Sequence, residues 1–297
     1  MRVTTFLVIA TLFSCAIRAN TGDSLRTGQQ TLQYQYGVVP IANGIAQLTI
    51  PTGFKFLNAA QSRYIISEVW HQSPQPDLAG MLFPQSGDPL NKNFYAVIIN
   101  YEPRGFVRDI DAGKIDYNKV LQNLQRDEDD DNAERKAMGY PAMHLISWVQ
   151  KPVYDKSFNE LYWAKEMQVA NNNAHIVSYN IRVLGRNGII TMSAEGSMDD
   201  QALLNSDMAK VQHMASFTNG NRYTDFDIHT DKVAAWTIGT LITGKIVNNT
   251  RIFALLGKYL NLILSWLAVL IVIISNLLKP GLLPICSSHE MSLAGNK

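Results

Sequence analysis

Apolar and polar positions alternate most clearly over residues 175–183, where Val177, Tyr179, Ile181 and Val183 interleave with Ser178, Asn180 and Arg182. Side chains two apart share one side of an extended chain, so this pattern predicts a half-buried antiparallel strand. It belongs to a series of four strand-like runs, at 143–150, 160–169, 175–184 and 188–195. Asn171-Asn172-Asn173 and Gly185-Arg186-Asn187-Gly188 supply turn residues between neighbouring runs. Upstream, 44–51 reads as a strand closed by Pro51, and 94–101 is apolar on both faces, as a central strand would be.

The period lengthens elsewhere. Asn58-Ala59-Ala60-Gln61 resembles a capping box, with Ser62, Ile66 and Trp70 following at helical spacing, which predicts a short helix to about His71. A second helix is predicted from Asp116, with Tyr117, Val120, Leu121 and Leu124 on one face. Gly139-Tyr140-Pro141 ends it. A third, from about Asp199, aligns Leu204, Met208 and Val211. Together these elements predict an α+β domain, one antiparallel β-sheet with helices packed on one face. Their order is similar to domains of the PsbP and Mog1 type, an analogy of fold that carries no function.

The two ends place this domain outside the cytoplasm. Arg2 and the apolar run 6–13 read as a signal peptide over 1–19, with cleavage after Ala19. The run is shorter than the roughly 20 residues needed to span a bilayer. Leu12-Phe13-Ser14-Cys15 resembles a bacterial lipobox, which makes lipidation of Cys15 the alternative. Residues 259–278 hold no charge and lie between Lys258 and Lys279, the pattern of a transmembrane helix. The expected order is therefore a leader, a periplasmic domain over 20–232, an apolar juxtamembrane segment over 233–258, the membrane helix and a tail over 279–297. The segment 233–244 is too short to cross a bilayer, and Gly239 and Gly244 would let it approach a partner helix closely. Residues 233–278 are thus the expected surface for the membrane and for a membrane-protein partner. Lys245, Arg251 and Lys258 precede the helix, so a helical hairpin competes with the single span under the positive-inside tendency.

A net charge of +1 over 297 residues gives no broad electropositive field, which argues against nucleic-acid binding. Cys15 and Cys286 are the only cysteines, so residues 20–232 contain no disulfide, as a bacterial periplasm tolerates. Asp127, Asp129 and Asp131 have the alternate spacing of a calcium loop. Asn132 replaces its glycine and Met138 its closing glutamate, so the run reads as a solvated helix face. The six histidines form no zinc motif, and neither a Gly-x-Ser-x-Gly elbow nor a phosphate loop occurs. No catalytic, cofactor or metal residue is assigned. One residue breaks pattern. Lys165 shares a strand face with Leu161, Trp163, Met167 and Val169. A lysine there is paired, functional, or at a sheet rim with its ammonium reaching water.

Several longer strings resemble a bacterial family of predicted membrane-anchored proteins built on a domain of unknown function. They are Gly80-Met81-Leu82-Phe83-Pro84, Glu134-Arg135-Lys136 with Gly139-Tyr140-Pro141, Leu161-Tyr162-Trp163-Ala164-Lys165-Glu166, and Tyr179-Asn180-Ile181-Arg182-Val183-Leu184-Gly185-Arg186. Asp231-Lys232-Val233-Ala234-Ala235 extends the resemblance, which covers roughly 35–275. It implies the envelope of a Gram-negative cell, with the anchor in the inner membrane, and no site residues. The expected function is a periplasmic binding or assembly protein. The alternative is a periplasmic hydrolase or transferase with a non-local active site, which a concave pocket with converging ionisable groups would favour. We predict that the mature chain begins at Asn20. N-terminal sequencing of membrane-extracted protein checks this: an intact Met1 would refute export by cleavage, and a lipidated Cys15 would select the alternative.

Overall fold

The computed structural model describes residues 32–72, 75–90, 95–137, 139–170 and 174–244, and the chain within them opens with strands β1 (Val38–Ile41) and β2 (Ala46–Thr49). Strand β3 (Phe54–Asn58) runs into helix α1 (Ala59–Tyr64), which Asn58 caps by accepting from Gln61 N at 3.0 Å. One wider turn over Ile65–Val69 continues it. Strands β4 (Leu78–Pro84), β5 (Val97–Glu102) and the short β6 (Phe106–Arg108) follow. Asp116 then caps α2 (Tyr117–Arg126) by accepting from Asn118 N and Lys119 N. After α3 (Glu128–Ala137) comes a meander of long strands, β7 (Met143–Asp155), β8 (Glu160–Val169), β9 (His175–Leu184) and β10 (Ile189–Ser197). Helix α4 (Gln201–Val211), β11 (Ala215–Phe217), β12 (Val233–Thr237) and α5 (Ile238–Thr243) complete the described chain.

Seven strands form an antiparallel sheet in the order β3-β4-β5-β10-β9-β8-β7. On one face, Val97, Ile99, Tyr179, Ile181, Ile190 and Met192 pack against the small sheet β1-β2-β11 and against Leu204, Met208 and Val211 of α4. The other face carries two separate apolar clusters. Leu57, Met81 and Phe83 pack with Ile65 and Ile66 beyond α1 at the β3–β4 side. Leu161, Trp163, Leu184 and Ile189 pack with Val107, Trp236, Ile238, Leu241 and Ile242 nearer the β8 side.

The three helices predicted from sequence periodicity are all present, with two differences. The second is broken at Asp127, and its acidic run forms the first turn of α3, where carboxylates face free backbone N–H groups. Asp127, Asp129 and Asp130 are exposed, whereas Glu128 Oε2 accepts from Leu145 N at 3.0 Å. Asn132 bonds both the N–H and the carbonyl of Met143. These side chains satisfy the outer edge of β7, an exposed strand edge being a template for unwanted pairing. Second, helices cover both sheet faces: α4 lies on one, and α1, α2 and α5 on the other.

The largest departure concerns 233–244. This segment was expected beside the membrane, and it is instead part of the domain. Strand β12 runs parallel to β6, with Phe106 N donating to Lys232 O at 2.8 Å. Gly105 permits that approach: its φ is +89°, and a Cβ there would lie 2.6 Å from the Lys232 carbonyl oxygen. Asp111 then gathers the start of α5, accepting from Thr237 Oγ1 at 2.6 Å and from Ile238 N and Gly239 N at 3.1 Å each. Ile238 is fully buried, as Leu241 and Ile242 nearly are. Within the described residues the compact unit runs on through Gly244, not to 232. The leader, Cys15, Cys286 and the span 259–278 lie outside the described residues. Among the described residues, no helix is long and apolar enough to cross a membrane.

Truncation after Lys232 is therefore expected to abolish the cooperative unfolding transition, whereas truncation after Gly244 preserves it. In the intact chain, Ile238→Ala should cost about 2–5 kcal/mol in chemical denaturation, as large-to-small changes in a packed core do.

Candidate functional site

The centre of the second sheet face, between its two apolar clusters, is polar. Strand register puts Thr191 opposite Arg182, Ser193 opposite Asn180 and Glu195 opposite Ser178 on adjacent strands. On the other side of β9, Trp163 pairs with Asn180 and Lys165 with Ser178. Asn100 of β5 pairs with Thr191. Ser178, Asn180, Arg182, Thr191 and Asn100 are all buried, so the polar side of the 175–184 strand does not face open solvent. It lines a cavity of about 210 Å³. Leu124 of α2, Asp131 of α3, Trp70 and the 236–244 segment supply further wall.

The residues in this row satisfy one another only in part. Arg182 Nη1 donates to Ile181 O at 2.9 Å and to Ser193 Oγ at 3.5 Å; its Nη2 donates to Asn180 Oδ1 at 3.2 Å. Asn100 Nδ2 donates to Gln75 Oε1 at 2.6 Å, while its Oδ1 is buried without a partner. Trp163 Nε1 and Glu195 Oε2 are likewise buried without a partner. At one margin, Arg104 pairs with Glu102 and stacks over the Trp236 ring, its Cζ 4.5 Å from the centroid. That contact fastens the 233–244 segment to the end of β5.

Burial sets the electrostatics. Desolvation raises the Glu195 carboxyl to about 7, against the opposing pull of the Lys165 and Arg135 charges and a hydrogen bond from Ser178. The same desolvation lowers Lys165, while Glu195 and Asp131 act to keep its proton on. Arg182 is drawn down to about 10, again chiefly by burial. A carboxyl that exchanges its proton near neutrality thus faces the cavity alongside a weakened ammonium and a desolvated guanidinium. Such a set binds polar groups of either sign and can move a proton.

Lys165 is half-buried on the cavity wall, not at an open rim. Sequence reasoning singled it out but missed Arg182, Glu195, Asn100 and the cavity itself. Asp127, Asp129 and Asp131 lie on or beside a helix, and among the described residues no group of three or more His, Cys, Asp or Glu could hold a metal ion.

The fold and the cavity define an α+β domain with one layer on each side of an antiparallel sheet and a polar pocket in one interface. The chain belongs to the family described as protein of unknown function (DUF2167), whose model matches residues 33–275. No curated protein matches it. Among solved structures, cyanobacterial PsbP (CyanoP) from Synechocystis sp. PCC 6803 is similar at 12% identity, covering 66% of this chain and 98% of its own, with a TM-score of 0.35. LpqN, described as involved in cell envelope biogenesis of Mycobacterium tuberculosis, is similar at 12% identity, covering 62% and 91% respectively, with a TM-score of 0.32.

The raised Glu195 carboxyl has a measurable consequence. Between about pH 4.5 and pH 7 the folded domain holds a proton that the unfolded chain releases, so stability falls as pH rises through this window. Glu195→Gln should remove its share of that slope. Denaturation midpoints at half-unit pH steps check this, with a wild-type decline on the order of 1–3 kcal/mol across the window and a shallower decline in the variant.

Proposed function

We propose that this chain is a membrane-anchored binding protein of the bacterial envelope, whose extracytoplasmic domain holds a small polar molecule in the sheet-face cavity. The observation that carries the binding reading is the buried row Ser178, Asn180 and Arg182, with Ser193 and Glu195 beside it, opening onto about 210 Å³ of space. A sheet face covered by helices is ordinarily apolar, because an unsatisfied polar group removed from water costs about 1–3 kcal/mol. Here apolar packing is confined to the two flanks, and the middle keeps amides, hydroxyls and charges around a space. Trp70, Trp163 and Trp236 add flat apolar surfaces to the same wall. A few placed polar groups among aromatic ones are the usual composition of a small-molecule site. The leader and the charge-free stretch 259–278 support the envelope location and the anchor.

One observation favours the alternative, a periplasmic hydrolase or transferase: Glu195, half-protonated near neutrality, faces the cavity with Lys165. A carboxylate of that basicity serves as a general base for an attacking water or hydroxyl. The two readings part in a single experiment. Native mass spectrometry of the full-length protein, released from membranes in detergent, should show a bound small molecule. Ser178→Leu, which fills the cavity wall, should lose it while keeping the wild-type thermal transition. An identical ligand load in the variant would remove the cavity from the reading. A ligand returned unchanged after incubation supports binding, and one returned cleaved or modified promotes the enzyme.

A further inference from the structure

Arg182 is 4% exposed, yet among the described residues no carboxylate comes within ion-pair distance of its guanidinium. Its hydrogen-bond partners are a backbone carbonyl, an amide oxygen and a hydroxyl, all neutral. Three contacts occupy three of the five N–H donors that a guanidinium carries, and both Nη1 hydrogens are among them. The Nε–H and one Nη2–H remain without a protein acceptor. Those two donors belong to the part of arginine that grips planar or tetrahedral oxyanions with paired bonds.

A second donor lies beside them. The Trp163 ring sits under the guanidinium, 5.2 Å from ring centroid to Cζ, and its Nε1–H is buried without an acceptor. Trp163 is 3% exposed and lines the cavity, as Arg182 does. The acidic side chain whose charge acts on Arg182 is Glu102, which is already paired with Arg104. Glu102, Asp131 and Glu195 also line the cavity, but none of them is bonded to Arg182 or to the Trp163 indole, so the positive charge and the unsatisfied donors meet no carboxylate directly. Burying such a cation is unfavourable unless an opposite charge joins it.

We propose that Arg182 and the Trp163 indole N–H form an oxyanion subsite in the cavity, and that the molecule held there carries a carboxylate or a phosphate. The subsite rests on the binding reading above and narrows it to one chemistry. Lys165 and Glu195, lying towards Ser178, are left to receive the remainder of the molecule.

The test follows the Trp163 indole resonance in ¹H–¹⁵N spectra of the detergent-solubilised full-length protein, titrated separately with acetate, inorganic phosphate and acetamide. Acetate or phosphate should shift the resonance saturably, and the stronger of the two identifies the head group. Acetamide, similar in shape but neutral, should not shift it. Arg182→Gln should weaken the anion response at least 10-fold, the scale of a charge-assisted bond. Trp163→Phe keeps an aromatic ring beside the guanidinium but removes the pyrrole part of the indole with its N–H. It guards against an Arg182 variant that fails to fold, and should weaken anion binding by roughly 10-fold when followed by calorimetry. Equal shifts from acetamide and acetate would overturn the oxyanion subsite while leaving a binding cavity. No saturable response to either anion, or an unchanged affinity in both variants, would overturn the subsite outright. Loss of ligand in Ser178→Leu is read independently of these arms, so failure of the subsite and failure of the cavity are told apart.

Discussion

Covering a sheet on both faces obliges every polar group on either face to find its partner inside the protein. In this domain that constraint falls on the strip formed by β9, β10 and the middle of β5. One side of the strip is conventional, with Tyr179, Ile181, Ile190 and Met192 sealed by α4 and the small sheet. The other side presents an arginine, amides and hydroxyls to helices that do not close over it. The two apolar clusters hold those helices at the flanks, and the space between them is what the polar strip leaves. Fold and cavity share this origin. Replacing the strip by leucine and valine would make a better core and remove the only reason for the gap.

The wall over that strip is assembled from distant pieces of chain. Asp111, in the loop before α2, binds the first residues of α5 through three donors. Trp236 is held under Arg104, and Gly105 lets the backbone of β12 lie against that of β6. None of these contacts is large, but they act on one short segment, whose own Ile238, Leu241 and Ile242 complete an apolar cluster.

Much of the fold was legible in the sequence, because strands and helices of this domain obey their periods. Asn58 and Asp116 open helices where their side chains predict, and the four-strand meander follows its turns. The site was legible only at Lys165, whose presence among Leu161, Trp163 and Met167 breaks a pattern. Arg182 broke none. An alternating strand looks the same whether its polar set meets water or a covered cavity, and only the tertiary neighbours decide. Two adjacent strands each carrying a polar triple, Ser178-Asn180-Arg182 and Thr191-Ser193-Glu195, were the available signal, and pairing them in register would have aligned the two. The segment 233–244 misled for a related reason. Apolar residues without charge suit a lipid boundary and a protein core equally, and the partner that distinguishes them, Asp111, lies 126 residues away from Thr237.

That separation has a consequence for the order of events during synthesis. The chain is delivered N-terminus first, so β3 through β10 arrive before β12 and α5, and the seven-stranded sheet can pair while one face still lacks part of its cover. Closing a loop of this length is slow compared with forming neighbouring hairpins. Arg182 and its companions therefore remain hydrated until late, and the guanidinium surrenders its water only when the last dozen described residues fold down. Recognition chemistry in this domain is created by the final stretch of chain to arrive, and a product without that stretch has no chamber.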